Sequence, residues 1–185
     1  VRHFHRLAEG IDVQPLLGQL DQQPELWDQI PFRRTAPNSP HAAMKDIWIR
    51  YRPPVELLYP WSFAEPFHSV FYPAWRVLPA LKPITFGLMS LVSAVELGGI
   101  LITRIPPGGA IMPHDDRGKW HAHAHNCKCY LPLRSNEQCV NRCEDEEVVM
   151  RPGEIWTFNN LVTHSVSNHG DSERITLIIS MRVEG

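Results

Sequence analysis

The chain has 185 residues, enough for one domain with a sizeable core. Its hydrophobic fraction of 43% and charged fraction of 21% are ordinary for a globular protein. A net charge of -2 excludes recognition of nucleic acid or of an anionic membrane by bulk positive charge.

No apolar run is long enough to span a bilayer, because "ITFGLMSLVSAVELGGILI" is broken by Gly87, Ser90, Ser93, Glu96 and Gly98. The N-terminus, "VRHFHRLAEGIDV", lacks the apolar core of a secretion signal. The four cysteines, 127, 129, 139 and 143, are therefore expected as reduced thiols, and the protein as cytoplasmic.

Residues 11–29 carry apolar side chains at roughly helical spacing, with Pro15 in the first turn. Residues 31–60 are rich in proline and aromatics, and within them "DIWIRY" is a strand candidate. Residues 73–97 are expected to form one or two helices divided around Pro83. From Gly98 onward the apolar period becomes two. "GGILITRI", "AIMPH", "NCKCYLPL", "QCVNRC", "EVVM", "EIWTF", "VTHSV" and "RITLIISMRV" read as short strands separated by turns such as "PPGG" and "RPGE". Strands this short and this regularly spaced predict a sandwich or barrel. The expected organisation is a single domain, 1–185, with a helical N-terminal part (1–97) packed on a β core (98–185).

"MPHDDRGKWHAHAHNCKCYLPL" concentrates metal-ligand side chains. Side chains two apart on a strand share a face, so His114 and Asp116 can hold one ion together while Asp115 points away. "VTHSV" supplies His164 on a later strand. Two histidines and a carboxylate on one side of a metal form the facial triad of non-heme Fe(II) oxygenases. A zinc site using His121, His123, His125 and the cysteines is the competing reading. On a strand, His121 and His125 would be about 13 Å apart, too far for one ion, although a loop would let them converge.

Alternation also places Arg174 with Thr176, Ile178 and Ser180 on one face, opposite the apolar Ile175, Leu177, Ile179 and Met181. Lys128 shares a face with Tyr130, opposite Cys127, Cys129 and Leu131. A barrel holding Lys128 and Arg174 near a metal has a place for a dianion: one carboxylate on the metal, the other paired with Arg174.

The stretch "RIPPGGAIMPHDD…KCYLPL…MRPGEIWTFNNLVTHSVSNHGDSERITLIISM" resembles the aspartyl/asparaginyl β-hydroxylase family of 2-oxoglutarate oxygenases, and more closely its bacterial and phage members, which include free-proline hydroxylases. The resemblance covers about residues 98–182 and is loose before that. It implies a double-stranded β-helix, the jelly roll of cupins. It implies Fe(II) on His114, Asp116 and His164, with 2-oxoglutarate and O2 as co-substrates and Arg174 on the distal carboxylate of 2-oxoglutarate. Lys128 falls where many relatives carry Arg, Tyr130 where His is common, and Thr103 where a hydroxyl contacts the co-substrate. The implied activity is hydroxylation of an amino-acid side chain, either an Asp/Asn-type residue or a free amino acid such as proline. The expected partner is thus a small molecule or a peptide, with neither nucleic acid nor membrane involved. Substrate contacts are expected from His41, Trp48, Arg50, Arg104, Asn159 and Asn160, with His121 and His123 near the mouth. A non-catalytic jelly-roll binding module is the remaining alternative.

Overall fold

A computed structural model of the protein describes residues 2–58 and 64–184. The first half runs through strand β1 (Phe4–Ala8), helices α1 (Gln14–Asp21) and α2 (Phe32–Thr35), strands β2 (Lys45–Tyr51) and β3 (Val70–Phe71), and helices α3 (Ala74–Val77) and α4 (Leu81–Leu91). The second half is β4 (Ala94–Ile105), β5 (Ala110–His114), α5 (Trp120–Ala124), β6 (Cys127–Arg134), β7 (Cys139–Cys143), β8 (Glu146–Val149), β9 (Ile155–Phe158), β10 (His164–Asn168) and β11 (Arg174–Val183).

Local sequence accounts for the helix limits. Pro15 sits in the first turn of α1, where its missing N–H costs nothing. Leu16, Leu17 and Leu20 give α1 its buried stripe. The helix expected over 11–29 is shorter than its apolar spacing, because Pro24 diverts the chain into a 3-10 turn, Pro24–Leu26. The helical stretch expected over 73–97 breaks between Val77 and Leu81 rather than at Pro83, which lies inside the first turn of α4. It also ends early. Ser93 adopts a left-handed conformation (φ 54°) that caps the helix, and residues 94–97 open β4.

Two antiparallel sheets face each other. The larger has the order β1-β9-β6-β11-β4-β2-β3 and the smaller β5-β10-β7-β8. The last eight strands cross between the sheets, with only β7 and β8 consecutive in one sheet, in the pattern of a double-stranded β-helix, the jelly roll expected from the family resemblance. The N-terminal half contributes more than helices, since β1, β2 and β3 extend the larger sheet at both edges. β1 shows no alternation, Phe4 being its one fully buried residue, and β3 is only two residues long.

The outer face of the larger sheet carries the main core. Ile47, Ile49, Ile100, Ile102, Leu131, Leu133, Ile175, Leu177, Ile179 and Met181 pack against Leu16, Leu20, Leu78, Leu81 and Leu88. Each such side chain contributes roughly 1.5–3 kcal/mol by burial. The inner face is left to a smaller apolar cluster around Phe4, Tyr130, Trp156 and Ile178, and to a cavity. No helix among the described residues is long and apolar enough to cross a membrane.

The "RPGE" turn between β8 and β9 shows how tightly the N-terminal segment is docked. Gly153 has φ 80°, and its carbonyl accepts the Ile11 N–H at 3.1 Å. A Cβ built there would lie 2.7 Å from the Ile11 carbonyl oxygen. Gly153→Ala is therefore expected to lose at least about 1–2 kcal/mol from the left-handed backbone alone. A lowered urea midpoint with unchanged m-value would register it.

Candidate metal centre and anion pocket

The two sheets enclose a cavity of about 530 Å3. On the smaller sheet, β5 ends at His114 and β10 begins at His164, and these two residues are cross-strand partners. Their rings lie 4.4 Å apart, centroid to centroid. Asp116 is not on the strand. It lies in the turn after β5, where its N–H donates to the Asn160 carbonyl at 3.0 Å. That turn, rather than strand alternation, brings the carboxylate round. One ligand atom from each of His114, Asp116 and His164 lies within 4.8 Å of the others, the one such grouping of three or more His, Cys, Asp or Glu among the described residues.

Each histidine is held in one tautomer. The His114 Nδ1–H donates to the Met112 carbonyl at 2.8 Å, and the His164 Nδ1–H to the Val162 carbonyl at 2.9 Å. Each Nε2 lone pair is therefore left for a metal. Burial, with His164 adding to it, pulls His114 down to about 4, and burial also lowers His164. Both rings are neutral at pH 7, as ligation requires. Burial alone would raise the Asp116 carboxyl, but Lys128, Lys119 and Asn160 outweigh it and hold the group well below the usual carboxylate range. Lys128 Nζ is 3.0 Å and Asn160 Nδ2 2.8 Å from Asp116 Oδ2, while Lys119 bonds the other oxygen.

The opposite wall is the inner face of the larger sheet. Arg174, Thr176, Ile178 and Ser180 of β11 line it with Lys128 and Tyr130 of β6, as period-two alternation predicts. Arg174 is 3% exposed, and its Nη2 donates to Asn141 Oδ1 at 2.9 Å. Its Nε and the hydroxyl of Thr176 are buried without any hydrogen-bond partner. Such groups are costly to leave unpaired, so they point to a bound acceptor. Thr103 also lines the cavity, but its hydroxyl donates to the buried Asp46 at 3.1 Å.

The remaining sequence candidates separate. His41 and Trp48 line the cavity, with the His41 ring edge-on to His114 at 4.8 Å. Trp48 Nε1 donates to the Ile30 carbonyl at 3.0 Å. Arg50 and Arg104 lie outside: Arg50 bonds the Gly98 carbonyl and covers Phe71, and Arg104 stacks on Trp27 beside Glu173. Asn159 accepts the Leu161 N–H in a local turn. The histidine run is a short helix, and its rings diverge. His121 meets the Tyr51 hydroxyl at 3.0 Å, His123 the Arg117 carbonyl at 2.7 Å, and His125 faces Glu96 at 3.7 Å. Arg33, Tyr51, Lys119 and Asn141 also line the cavity without having been singled out in the sequence. Lys119 lay three residues from Asp116 and Thr176 on Arg174's face, so both carried a signal; Arg33 and Asn141 carried none.

The family model described as aspartyl/asparaginyl beta-hydroxylase matches residues 76–183. No curated protein sequence matches the chain. Among solved structures, a Trichoplax adhaerens prolyl hydroxylase, in complex with a hypoxia inducible factor oxygen degradation domain peptide fragment, superposes with a TM-score of 0.62 at 13% identity, over 97% of this chain and 83% of that one. A Pseudomonas putida prolyl-4-hydroxylase gives 0.54 at 14% identity over 99% and 94%. The collagen prolyl hydroxylase of Paramecium Bursaria Chlorella virus-1 gives 0.53 at 11% identity over 99% and 97%. At these identities the likeness concerns the fold.

His121 makes the pocket acid-sensitive. Burial first, then Lys128, lowers it to about 3, so the folded protein keeps it neutral while the unfolded chain protonates near 6.5. Its contribution to stability is complete above pH 6.5 and is lost as pH falls toward 3. In His121→Gln, the loss of stability between pH 6.5 and 4 is expected to be shallower than in wild type, as read from urea midpoints.

Proposed function

This chain belongs to the aspartyl/asparaginyl β-hydroxylase family, and we propose that it is an Fe(II)- and 2-oxoglutarate-dependent dioxygenase that hydroxylates an amino-acid side chain. One observation carries the reading. Two neutral histidines and an ionised aspartate converge at one end of a cavity whose other wall offers a buried, partly unpaired guanidinium.

The donor set suits Fe(II), and His114, Asp116 and His164 would hold it from one side. When bound, such a centre couples oxidative decarboxylation of 2-oxoglutarate by O2 to hydroxylation of an unactivated C–H bond. The chain's own residues do the positioning. Arg174 and Thr176 would take the distal carboxylate of 2-oxoglutarate, their unpaired Nε and hydroxyl being the groups that need an acceptor. Asn141 holds the guanidinium in place from behind. Tyr130, buried on the same wall, would close the co-substrate's side. Lys128 carries a second positive charge toward the anion, and Thr103 serves through Asp46 rather than by direct contact. Leu101, Ile111 and Ile178 keep water from the reacting region.

Charge supports an acidic co-substrate. The cavity is lined by Arg33, Lys119, Lys128, Arg142 and Arg174 against Asp115 and Asp116. Arg142 is engaged by Glu147, and Asp115 by Arg117. Arg33 is engaged by the buried Asp46, and Lys119, Lys128 and Arg174 still outnumber Asp116, so the excess is positive, which concentrates anions. On the substrate side, His41, Trp48, Tyr51 and Arg33 form the lining, wide enough for a free amino acid such as proline or for an Asp/Asn-type side chain of a peptide. Asn160 acts on substrate only through Asp116, which it orients.

The test is an anaerobic titration of metal-free protein with Fe(II) and 2-oxoglutarate, watching the weak visible charge-transfer band of the chelate. Wild type is expected to give the band and His164→Ala to lose it. Arg174→Ala is expected to need about 10- to 100-fold more 2-oxoglutarate, the value of a charge-assisted hydrogen-bond pair. A protein that gives no band but binds zinc tightly would overturn the reading.

A further inference from the structure

Strand β6 carries chemistry that the pocket does not use. Cys127 and Cys129 flank Lys128 and project from the opposite face, with their Sγ atoms 4.0 Å apart. Cys127 is partly exposed at the start of the strand, and Cys129 is buried in the main core. The other two cysteines are chemically quiet. Burial pushes the Cys139 thiol up and takes that of Cys143 to about 11. Cys127 behaves differently: the hydrogen bond from Cys129 outweighs burial and pulls it down, while the same contact and burial push Cys129 up, so of the two Cys127 is the one that reacts first and Cys129 the one that keeps its proton.

We propose that Cys127 and Cys129 form a peroxide-sensitive dithiol, and that its closure to a disulfide moves Lys128 in the cavity. The oxidant is a hydroperoxide. The Cys127 thiolate attacks its distal oxygen, the O–O bond breaks, and a sulfenic acid forms as the other oxygen leaves with a proton as alcohol or water. The Cys129 sulfur then attacks the Cys127 sulfur. The S–S bond forms, and the sulfenic hydroxyl leaves as water with the Cys129 proton. Two thiols have given two electrons to one O–O bond.

Geometry links this bond to the pocket. A disulfide needs its Cα atoms within about 6.8 Å and its Cβ atoms drawn together to about 3.5–4.5 Å, closer than two same-face residues of an extended strand stand. Two residues of strand span about 6.6 Å, at the upper edge of the Cα range. Closure therefore contracts or puckers the strand at its middle residue. The flanks are tied down. Asn126 clamps Val183 through both amide groups, at 2.9 and 3.1 Å, and Cys129 is registered with Ile179 and Thr157. Lys128, registered with Ser180 in the same ladder, is the residue between the two sulfurs, so closure turns it against that register, and its ammonium is the group 3.0 Å from Asp116. A bridge formed under such tension is readily reduced, which makes the change reversible.

The experiment treats the reduced chain with a few equivalents of hydrogen peroxide, caps remaining thiols with N-ethylmaleimide in denaturant, and digests with trypsin. Trypsin cuts after Lys119, Lys128 and Arg134. Only a Cys127–Cys129 bridge then holds peptides 120–128 and 129–134 together until reductant is added. The joined pair is expected from wild type and not from Cys127→Ser, with Cys139 and Cys143 capped in both. Both thiols capped, or sulfinic acid on Cys127 with Cys129 capped, would sink the proposal. The effect on Lys128 rests on the co-substrate reading above. In the anaerobic titration, oxidised wild type is expected to bind 2-oxoglutarate at least several-fold more weakly, to recover with reductant, and peroxide-treated Cys127→Ser to be unchanged. A bridge that leaves 2-oxoglutarate affinity unchanged overturns the coupling. Reduced protein that binds no 2-oxoglutarate overturns the co-substrate reading alone, since the joined peptides report on the bridge without it.

Discussion

Everything in this molecule hangs on the alternation of side chains along β11. The strand is central in the larger sheet, paired with β4 on one side and β6 on the other, so its register admits no slip. Shifting it by one residue would put Arg174 into the apolar core and Leu177 into the cavity. The outward residues bury themselves against α1, α3 and α4 and supply stability. The inward residues are thereby freed to be polar. The cost of a buried guanidinium and hydroxyl is carried by packing on the other side of the same strand.

The smaller sheet does the complementary task. It presents His114 and His164 from neighbouring strand ends and leaves the carboxylate to a turn. Rigid strands fix the two imidazoles, and backbone carbonyls two residues earlier set their tautomers. Asp116 is positioned by side chains instead: Lys119, Lys128 and Asn160 come from three different parts of the chain. The carboxylate is therefore the adjustable member of the triad, sensitive to whatever displaces those partners.

Lys128 is where these relations cross. Its ammonium reaches Asp116, it faces the same cavity as Arg174, and its strand neighbours are the two thiols in contact. A strand has two faces, so a chemical event on one is felt on the other through the residue between. That follows from the pleat and needs no long-range network.

The sequence by itself determined a sandwich or barrel and the facing of its strands, and its family resemblance implied that the barrel is a jelly roll. Period-two runs such as "RITLIISMRV" and "NCKCYLPL" state which residues face the core, and they do so whatever the neighbouring elements are. The family motifs named His114, Asp116, His164 and Arg174 because those residues sit at strand ends and turns of a fixed architecture. Tertiary structure alone decided the rest. Asn141 and Arg33 reach the cavity from elements distant in the chain, and no local pattern marks them. Arg50 and Arg104 found partners outside it, since a guanidinium on a strand goes to whichever carbonyl, carboxylate or ring lies nearest. The histidine run forms a short helix after the turn in which Lys119 bonds Asp116, and its rings leave in different directions, which spacing cannot foretell. Periodicity is a local property that the chain writes down directly, whereas the meeting of side chains from separate elements exists only once the sheets have closed on each other.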